Sequence, residues 1–232
     1  LSPVTWNSFS QRPHELVQYF HQQTHGKVLW IDPYPTRFPN LEDVLIKRPK
    51  SDNMVSNIPS WLTVIKPRVL PIEPVPFSGL INSLFWHDSL SEIERFTDGS
   101  TILGIGKPST FALSLLSKKV FASSFYDAMD DFPAFYHGLS QLAMINRERK
   151  TVTQVSKVLV SSSALRDRLQ HLTKNIHLVL NACASDRLPE VSTIQQHKNL
   201  ISPVFGYIGT IAEWFDWQLV VALAESYPRA KF

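Results

Sequence analysis

Residues 125–133, FYDAMDDFP, put three aspartates, Asp127, Asp130 and Asp131, within five positions between aromatic side chains. They follow an apolar run, Val120–Tyr126, that reads as a buried strand. In open α/β sheets, ligands bind in the crevice beyond the carboxyl ends of the strands. A carboxylate there can take a proton from an attacking hydroxyl, hydrogen-bond a sugar or hold a metal. Tyr126, Phe132 and Phe135 add aromatic faces, and aromatic faces with carboxylates suit a carbohydrate. No second oxygen cluster lies nearby in sequence, so no metal is expected. The competing reading is local: Asp130 or Asp131 caps a helical turn and pairs with a basic neighbour. His137, ten residues after Asp127, is a lesser candidate for proton transfer.

Three further stretches could meet a ligand. WNSFSQRPHE, residues 6–15, stands between a first strand and a first helix, where Trp6, Asn7, Gln11, Arg12 and His14 can face a crevice. Arg12 could grip a phosphate or carboxylate bidentately, or form a surface ion pair. GIGKPS, residues 104–109, offers a Gly-x-Gly turn and Lys107, but it lacks the third glycine of a dinucleotide fingerprint and reads first as a tight turn. GYIGTIAEWFDW, residues 206–217, has Gly209 and Thr210 after a strand and before a helix, where backbone N–H groups could hold phosphate. Its Trp214, Phe215 and Trp217 read as a packing patch. His21 and His25 share a helix face, but HQQTH lacks the Glu of a metalloprotease helix and a third ligand. SSSAL, residues 161–165, lacks a nucleophile elbow and reads as a serine N-cap. Cys183 reads as a small packing residue.

The elements that must position these residues alternate. Strands are expected at Lys27–Ile31, Thr101–Ile105, Val120–Tyr126, Lys157–Val160, Ile176–Leu180 and Val204–Ile208, with Leu1–Val4 as the tail of an earlier one. Helices are expected at Pro13–Thr24, Ser109–Ser117, Gly138–Arg149, Ser162–Leu172 and Asp216–Ser226, with Asp216 as an N-cap. Strand–helix alternation with continuous apolar runs predicts an α/β fold: a Rossmann-like parallel sheet with flanking helices. Residues 33–76 hold many of the 16 prolines and read as an irregular excursion with short extended pieces. Glu190–Pro203 is polar and aperiodic. The expected division is residues 1–190, a linker at 191–203, and the first β-α unit of a second Rossmann-like domain at 204–232.

The bulk composition narrows the function. The chain has 232 residues, 44% hydrophobic, enough for a sizeable core. A net charge of +3 with scattered Lys and Arg is no nucleic-acid footprint. Arg147, Arg149 and Lys150 form one short basic cluster, read as a solvated helix end with anionic lipid as the other reading. A single cysteine fits a reducing compartment, and no apolar run approaches the ~20 residues needed to span a bilayer.

The order of parts resembles the GT-B glycosyltransferases, especially the bacterial enzymes that build cell-surface polysaccharides, including the teichuronic-acid type. QRPHELVQYF follows the first strand, YDAMDDFPAFY a middle strand, then come VLVSSSAL, LVLNA and GYIGTIAEWFDW. The resemblance implies two Rossmann-like domains facing a cleft, the first binding acceptor and the second a nucleotide-sugar donor. It implies transfer of a sugar from a nucleotide-diphosphate donor to a glycan or lipid-linked acceptor, with no cofactor and no metal. Asp127 would face the acceptor hydroxyl, with Asp130 and Asp131 beside it. Trp6, Gln11, Arg12, Tyr126 and His137 would contact the acceptor. Gly209, Thr210 and Arg12 would hold the donor phosphates. The resemblance puts the donor-binding carboxylates beyond Phe232, so residues 1–232 alone are expected to be inactive. A cytoplasmic location with peripheral contact at the inner membrane is expected. Two other function classes stay open: a non-catalytic glycan-binding or scaffold module, and a dinucleotide-dependent oxidoreductase using Gly104 and Gly106.

Overall fold

The computed structural model describes residues 1–33, 58–67, 69–70, 73, 78–182, 202–209, 211 and 215–232. The chain divides into two compact units, Leu1–Ala182 and Cys183–Phe232. Most of the expected linker, the Glu190 boundary, Cys183, Thr210 and Trp214 lie outside the described residues.

The first unit is mixed α/β, and its strands are all parallel to their neighbours. Strands β1 (Val28–Ile31) and β2 (Leu62–Ile65) form one pair. Strands β3 (Ile102–Ile105), β4 (Ser123–Ala128), β5 (Lys157–Val160) and β6 (Ile176–Leu178) form a four-stranded sheet in that order. The first residues of the chain join the two. The Leu1 nitrogen donates to Gly104 O at 2.9 Å and Gly106 N donates to Leu1 O at 2.8 Å, the bonding of a parallel pair. On the other side Ser2 N donates to Ile31 O at 3.0 Å. The order across the unit is therefore β2, β1, Leu1–Ser2, β3, β4, β5, β6. Counted along the chain, it reverses direction between Leu1–Ser2 and β3, an arrangement compatible with a Rossmann-like sheet.

Glycine at position 106 is what lets this junction close. A Cβ there would meet the Pro3 ring at 2.5 Å and Leu1 O at 3.3 Å. The expected tight-turn reading of GIGKPS holds, and the space a phosphate cradle would use beside Gly106 is filled by Pro3.

Helices fill the connections. They are α1 (Arg12–Thr24), α2 (Ser78–Ser83), α3 (His87–Phe96), α4 (Thr110–Lys118), α5 (Gly138–Gln154) and α6 (Ser163–Leu169), with a short 3-10 turn at Phe132–Phe135. Local chemistry sets several starts: Ser109 Oγ accepts from Ala112 N, and Ser162 Oγ accepts from Leu165 N. Pro13 presets the first turn of α1, and His25 ends it in the left-handed region at φ 53°. His21 Nδ1 donates to Gly26 O at 2.9 Å and the ring stacks on Trp61 at 4.4 Å, so it is committed to packing. The core is one cluster of Ile105, Phe111, Leu115, Tyr126, Met144, Val152, Val158, Val160 and their neighbours.

Three expectations change here. Helices α2 and α3 were not anticipated, and one of the short extended pieces expected within the proline-rich excursion is strand β2, paired with β1. Strand β4 starts at Ser123, because Lys119 closes α4 in the left-handed region at φ 52° and a turn follows. Its end moves to Ala128, which puts Asp127 inside the ladder opposite Leu159. In the second unit the expected strand Val204–Ile208 is reduced, among the described residues, to one parallel bridge between Val204 and Lys231. That bridge flanks helix α7 (Trp217–Ser226), whose N-cap is Asp216, accepting from Leu219 N at 2.9 Å.

No helix among the described residues is long and apolar enough to cross a membrane.

Candidate functional site

The carboxyl ends of the parallel strands share one edge, and the start of α1 comes to it. There Arg12 meets Asp127. Its Nε donates to both carboxylate oxygens, at 3.0 and 2.9 Å, and its Nη2 donates to Oδ1 at 2.8 Å. Its Nη1 donates to Val179 O at 2.7 Å, to Leu180 O at 3.3 Å and to Asn181 Oδ1 at 3.2 Å. All three guanidinium nitrogens are thus committed, and the pair is buried, with side-chain exposures of 10% and 4%. The planar fork of arginine suits this bidentate geometry. The clasp ties the start of α1, the end of β4 and the segment after β6 into one piece.

Four expectations are revised by these contacts. Asp127 does not stand open to an acceptor; both its oxygens accept from Arg12. Arg12 is not a free phosphate ligand, since a diphosphate would have to displace Asp127 and three oxygens of residues 179–181. Tyr126 cannot contact an acceptor. Strand side chains alternate between faces, and Tyr126 points into the core at 0% exposure, its hydroxyl donating to Glu148 at 3.0 Å. Burial, then the charge of Glu148, pushes the Tyr126 phenol well above its ordinary range, so it stays a donor. His14 is also buried: Gln11 N donates to its Nδ1 at 3.1 Å, and its Nε2 meets Trp6 O at 3.2 Å. That pattern assigns the neutral Nε2–H tautomer.

Below Tyr126 a polar network continues outwards. Arg168 from α6 donates to both oxygens of Glu148, which is buried, and its Nη2 lies 3.4 Å from Asp131. Asp131 is therefore an exposed partner of Arg168 rather than an open carboxylate.

Asp130 differs from both neighbours. It is half-buried just past the end of β4 and has no hydrogen bond or ion pair among the described residues. Burial, with a smaller contribution from the Asp127 charge, raises its carboxyl above the ordinary aspartate range. The backbone beside it is held: Ser161 Oγ donates to Met129 O at 2.8 Å, and Met129 N donates to Asp127 O. An ionised carboxylate with a raised pKa and open acceptor positions can receive a hydroxyl proton.

A second cluster sits at the end of β1. Trp6 N and Trp30 Nε1 both donate to Asp32 Oδ1, at 2.9 and 3.0 Å. The Trp6 ring packs edge-on against Trp30 at 5.1 Å and tilts against His14 at 5.2 Å. Trp6 keeps part of its surface in solvent, and Gln11, also half-buried, opens α1 beside it. Asp32 escaped the sequence reading. The signal existed: an acid directly after the apolar run KVLWI, the same pattern that singled out Asp127.

His137 is exposed at the start of α5. Gly209 belongs to the second unit, and Thr210 lies outside the described residues. No group of three or more His, Cys, Asp or Glu positioned to hold a metal ion occurs among the described residues.

Compared with known proteins, the chain matches no protein-family model, no curated protein and no solved structure.

Proposed function

We propose that the first unit is the acceptor-binding half of a GT-B glycosyltransferase acting at the cytoplasmic side of the cell envelope, and that Asp130 faces the acceptor hydroxyl. The observation that carries this reading is the half-buried, unpartnered Asp130 carboxyl at the shared carboxyl edge, with its pKa raised. The reversal of strand order beside Leu1–Ser2 supports it, because crevices form at such points. In the inverting form of the reaction, Asp130 takes the proton as the hydroxyl oxygen attacks the anomeric carbon. The bond from that carbon to the diphosphate breaks, and the leaving nucleoside diphosphate keeps the electron pair. In a retaining enzyme Asp130 orients the acceptor and the donor phosphate takes the proton. Asp127 and Arg12 fix the loop that carries Asp130. Gly209 and Thr210 remain the backbone donors proposed for the diphosphate.

The test is transfer by the full-length protein over a panel of nucleotide-diphosphate sugars and glycan acceptors, wild type against Asp130→Asn. A general base is worth roughly 10²–10⁴ in rate, and a loss of that size in a folded variant is expected. No turnover with any donor counts against the transferase. A non-catalytic glycan-binding module is the second reading, favoured by one observation: Arg12, the cation proposed for the phosphates, is already satisfied by Asp127. That reading predicts glycan binding without transfer.

A further inference from the structure

The cluster at the end of β1 holds a carboxylate and an indole that the chemistry at Asp130 does not use. Asp32 follows β1 directly and is buried. Its Oδ1 is spent on Trp6 N and Trp30 Nε1. Its Oδ2 makes no hydrogen bond or ion pair among the described residues and is not sealed from solvent. Buried charges are normally paired, so this open oxygen stands out. The Trp6 ring beside it is half-buried. Its ring neighbours meet it tilted or edge-on, His14 at 44°, Trp30 at 74° and Trp61 at 87°. The rings around it stack on one another instead, His14 with Trp30 at 30° and His21 with Trp61 at 11°. Among the described residues, no ring lies flat on Trp6. Phe9, three residues on in the same loop, is 79% exposed. The loop is held: Ser8 N and Ser8 Oγ both donate to Thr5 O, at 3.1 and 2.8 Å, and Ser10 Oγ donates to Glu15 at 2.6 Å.

Chemistry decides what fits there. A pyranose has an apolar face of C–H bonds, which an indole covers, and hydroxyls that donate to a carboxylate. A nucleotide would bring phosphate charge, and the cluster supplies no cation for it: His14 is the neutral tautomer and Arg12 is held by Asp127. Distance sets the length of the ligand. Asp32 stands just past β1 and Asp130 just past β4, with Leu1–Ser2 and β3 between them. That is three strand spacings, about 14 Å, more than a single sugar ring spans. The line between the two carboxyls crosses the reversal of strand order, where a crevice forms.

We propose that Asp32 and Trp6 form a distal sugar subsite, so that the ligand of this edge is an oligosaccharide long enough to lie across β3 from Asp32 to Asp130. The inference rests on reading the edge as a glycan site, which the transferase and the binding module share.

The experiment is calorimetry of the full-length protein with oligosaccharides of increasing length, chosen by screening it on an array of bacterial surface glycans. Affinity is expected to rise at least roughly tenfold from single sugars to glycans that reach both clusters, the worth of a hydrogen bond to a charged group. Asp32→Asn keeps an oxygen for Trp6 N and Trp30 Nε1 and puts a donor in place of Oδ2. It is expected to lose that gain while keeping the wild-type melting transition, and Trp6→Ala is expected to lose it as well. A mere brace would not make the loss depend on glycan length. Affinity that does not rise with length, a gain that survives both substitutions, or binding to no glycan overturns the proposal. Where a variant fails to fold, the fluorine spectrum of wild-type protein labelled with fluorotryptophan decides. The spanning glycan is expected to shift the Trp6 resonance, identified by its loss in Trp6→Phe, and single sugars are not. An unmoved Trp6 resonance overturns the proposal. So does a shift produced by a nucleoside diphosphate alone, which makes the cluster a nucleotide site. The two readings fail separately. Length-dependent binding without transfer to any glycan removes the transferase and leaves the subsite standing. Transfer at equal rates to single sugars and to longer glycans removes the subsite and leaves the transferase.

Discussion

Asp127 and Asp130 stand three residues apart and do opposite work. Asp127 is in the ladder of β4, buried, and gripped on both oxygens by Arg12. Asp130 is past the strand end, half-buried, without a partner among the described residues, and its carboxyl is raised by burial first and by Asp127 second. The difference separates holding from acting. A carboxylate that completes a buried ion pair is a structural tie, and removing either partner strands a charge. A carboxylate left open and made more basic costs stability and is available for chemistry.

Substitutions can break this contrast at several strengths. The largest effect is expected at the clasp. Arg12→Ala or Asp127→Ala should each cost about 3–5 kcal/mol in urea unfolding, because each strands the other charge in a buried place. The double substitution should cost much less than the sum of the two. Additive losses would show that the pair is not coupled. Activity lost in Asp127→Ala is then no evidence of a catalytic role unless the folded fraction is measured alongside.

Next in size is Gly106→Ala. The added methyl meets the Pro3 ring and the Leu1 carbonyl. Overpacking of this kind costs about 1–3 kcal/mol, and a melting temperature equal to wild type would show that Leu1–Pro3 does not pack between β1 and β3 as described.

A smaller loss is expected from Tyr126→Phe. It removes one buried hydrogen bond to Glu148, worth about 0.5–1.5 kcal/mol. Glycan binding, measured by calorimetry, should not change, because the ring is wholly buried. A change in binding with no change in stability would return Tyr126 to the acceptor site.

The smallest effect has the opposite sign. The fold raises the Asp130 pKa, so it favours the protonated form. Its contribution to stability is fully present below the unfolded value, about 3.9, and is lost as pH rises through the higher folded value. At neutral pH the ionised carboxylate therefore costs stability, and Asp130→Asn should raise the melting temperature slightly. The gain should stay below about 1 kcal/mol, since half the group is in water, and it should vanish as pH falls below the unfolded value. A variant less stable than wild type at neutral pH would mean that Asp130 has a partner.

Much of this frame was legible along the sequence because its signals are local. Ser109, Ser162 and Asp216 cap helices through bonds to N–H groups three residues on. The apolar runs KVLWI, TILGI and KVLV became β1, β3 and β5 because strands covered on both faces need no alternation. What was not legible depends on distance. Strand β2 was legible only as a short extended piece among prolines, and its reason to exist is β1, with Val28 pairing to Leu62. Arg12 and Asp127 are 115 positions apart, so nothing near either residue announces the clasp. The open state of Asp130 is legible only once the pairings of its neighbours are known. Tyr126 was misread for a local reason: it closed the expected strand next to the loop, whereas β4 runs two residues further, to Ala128, and leaves Tyr126 within the ladder with its side chain in the core.

The most direct test of the central claim compares Asp130→Asn and wild type in the full-length protein, with transfer rate and melting temperature measured on the same samples. The account predicts a rate lower by roughly 10²–10⁴ in a protein at least as stable as wild type at neutral pH. A folded Asp130→Asn protein that transfers sugar at the wild-type rate would contradict it.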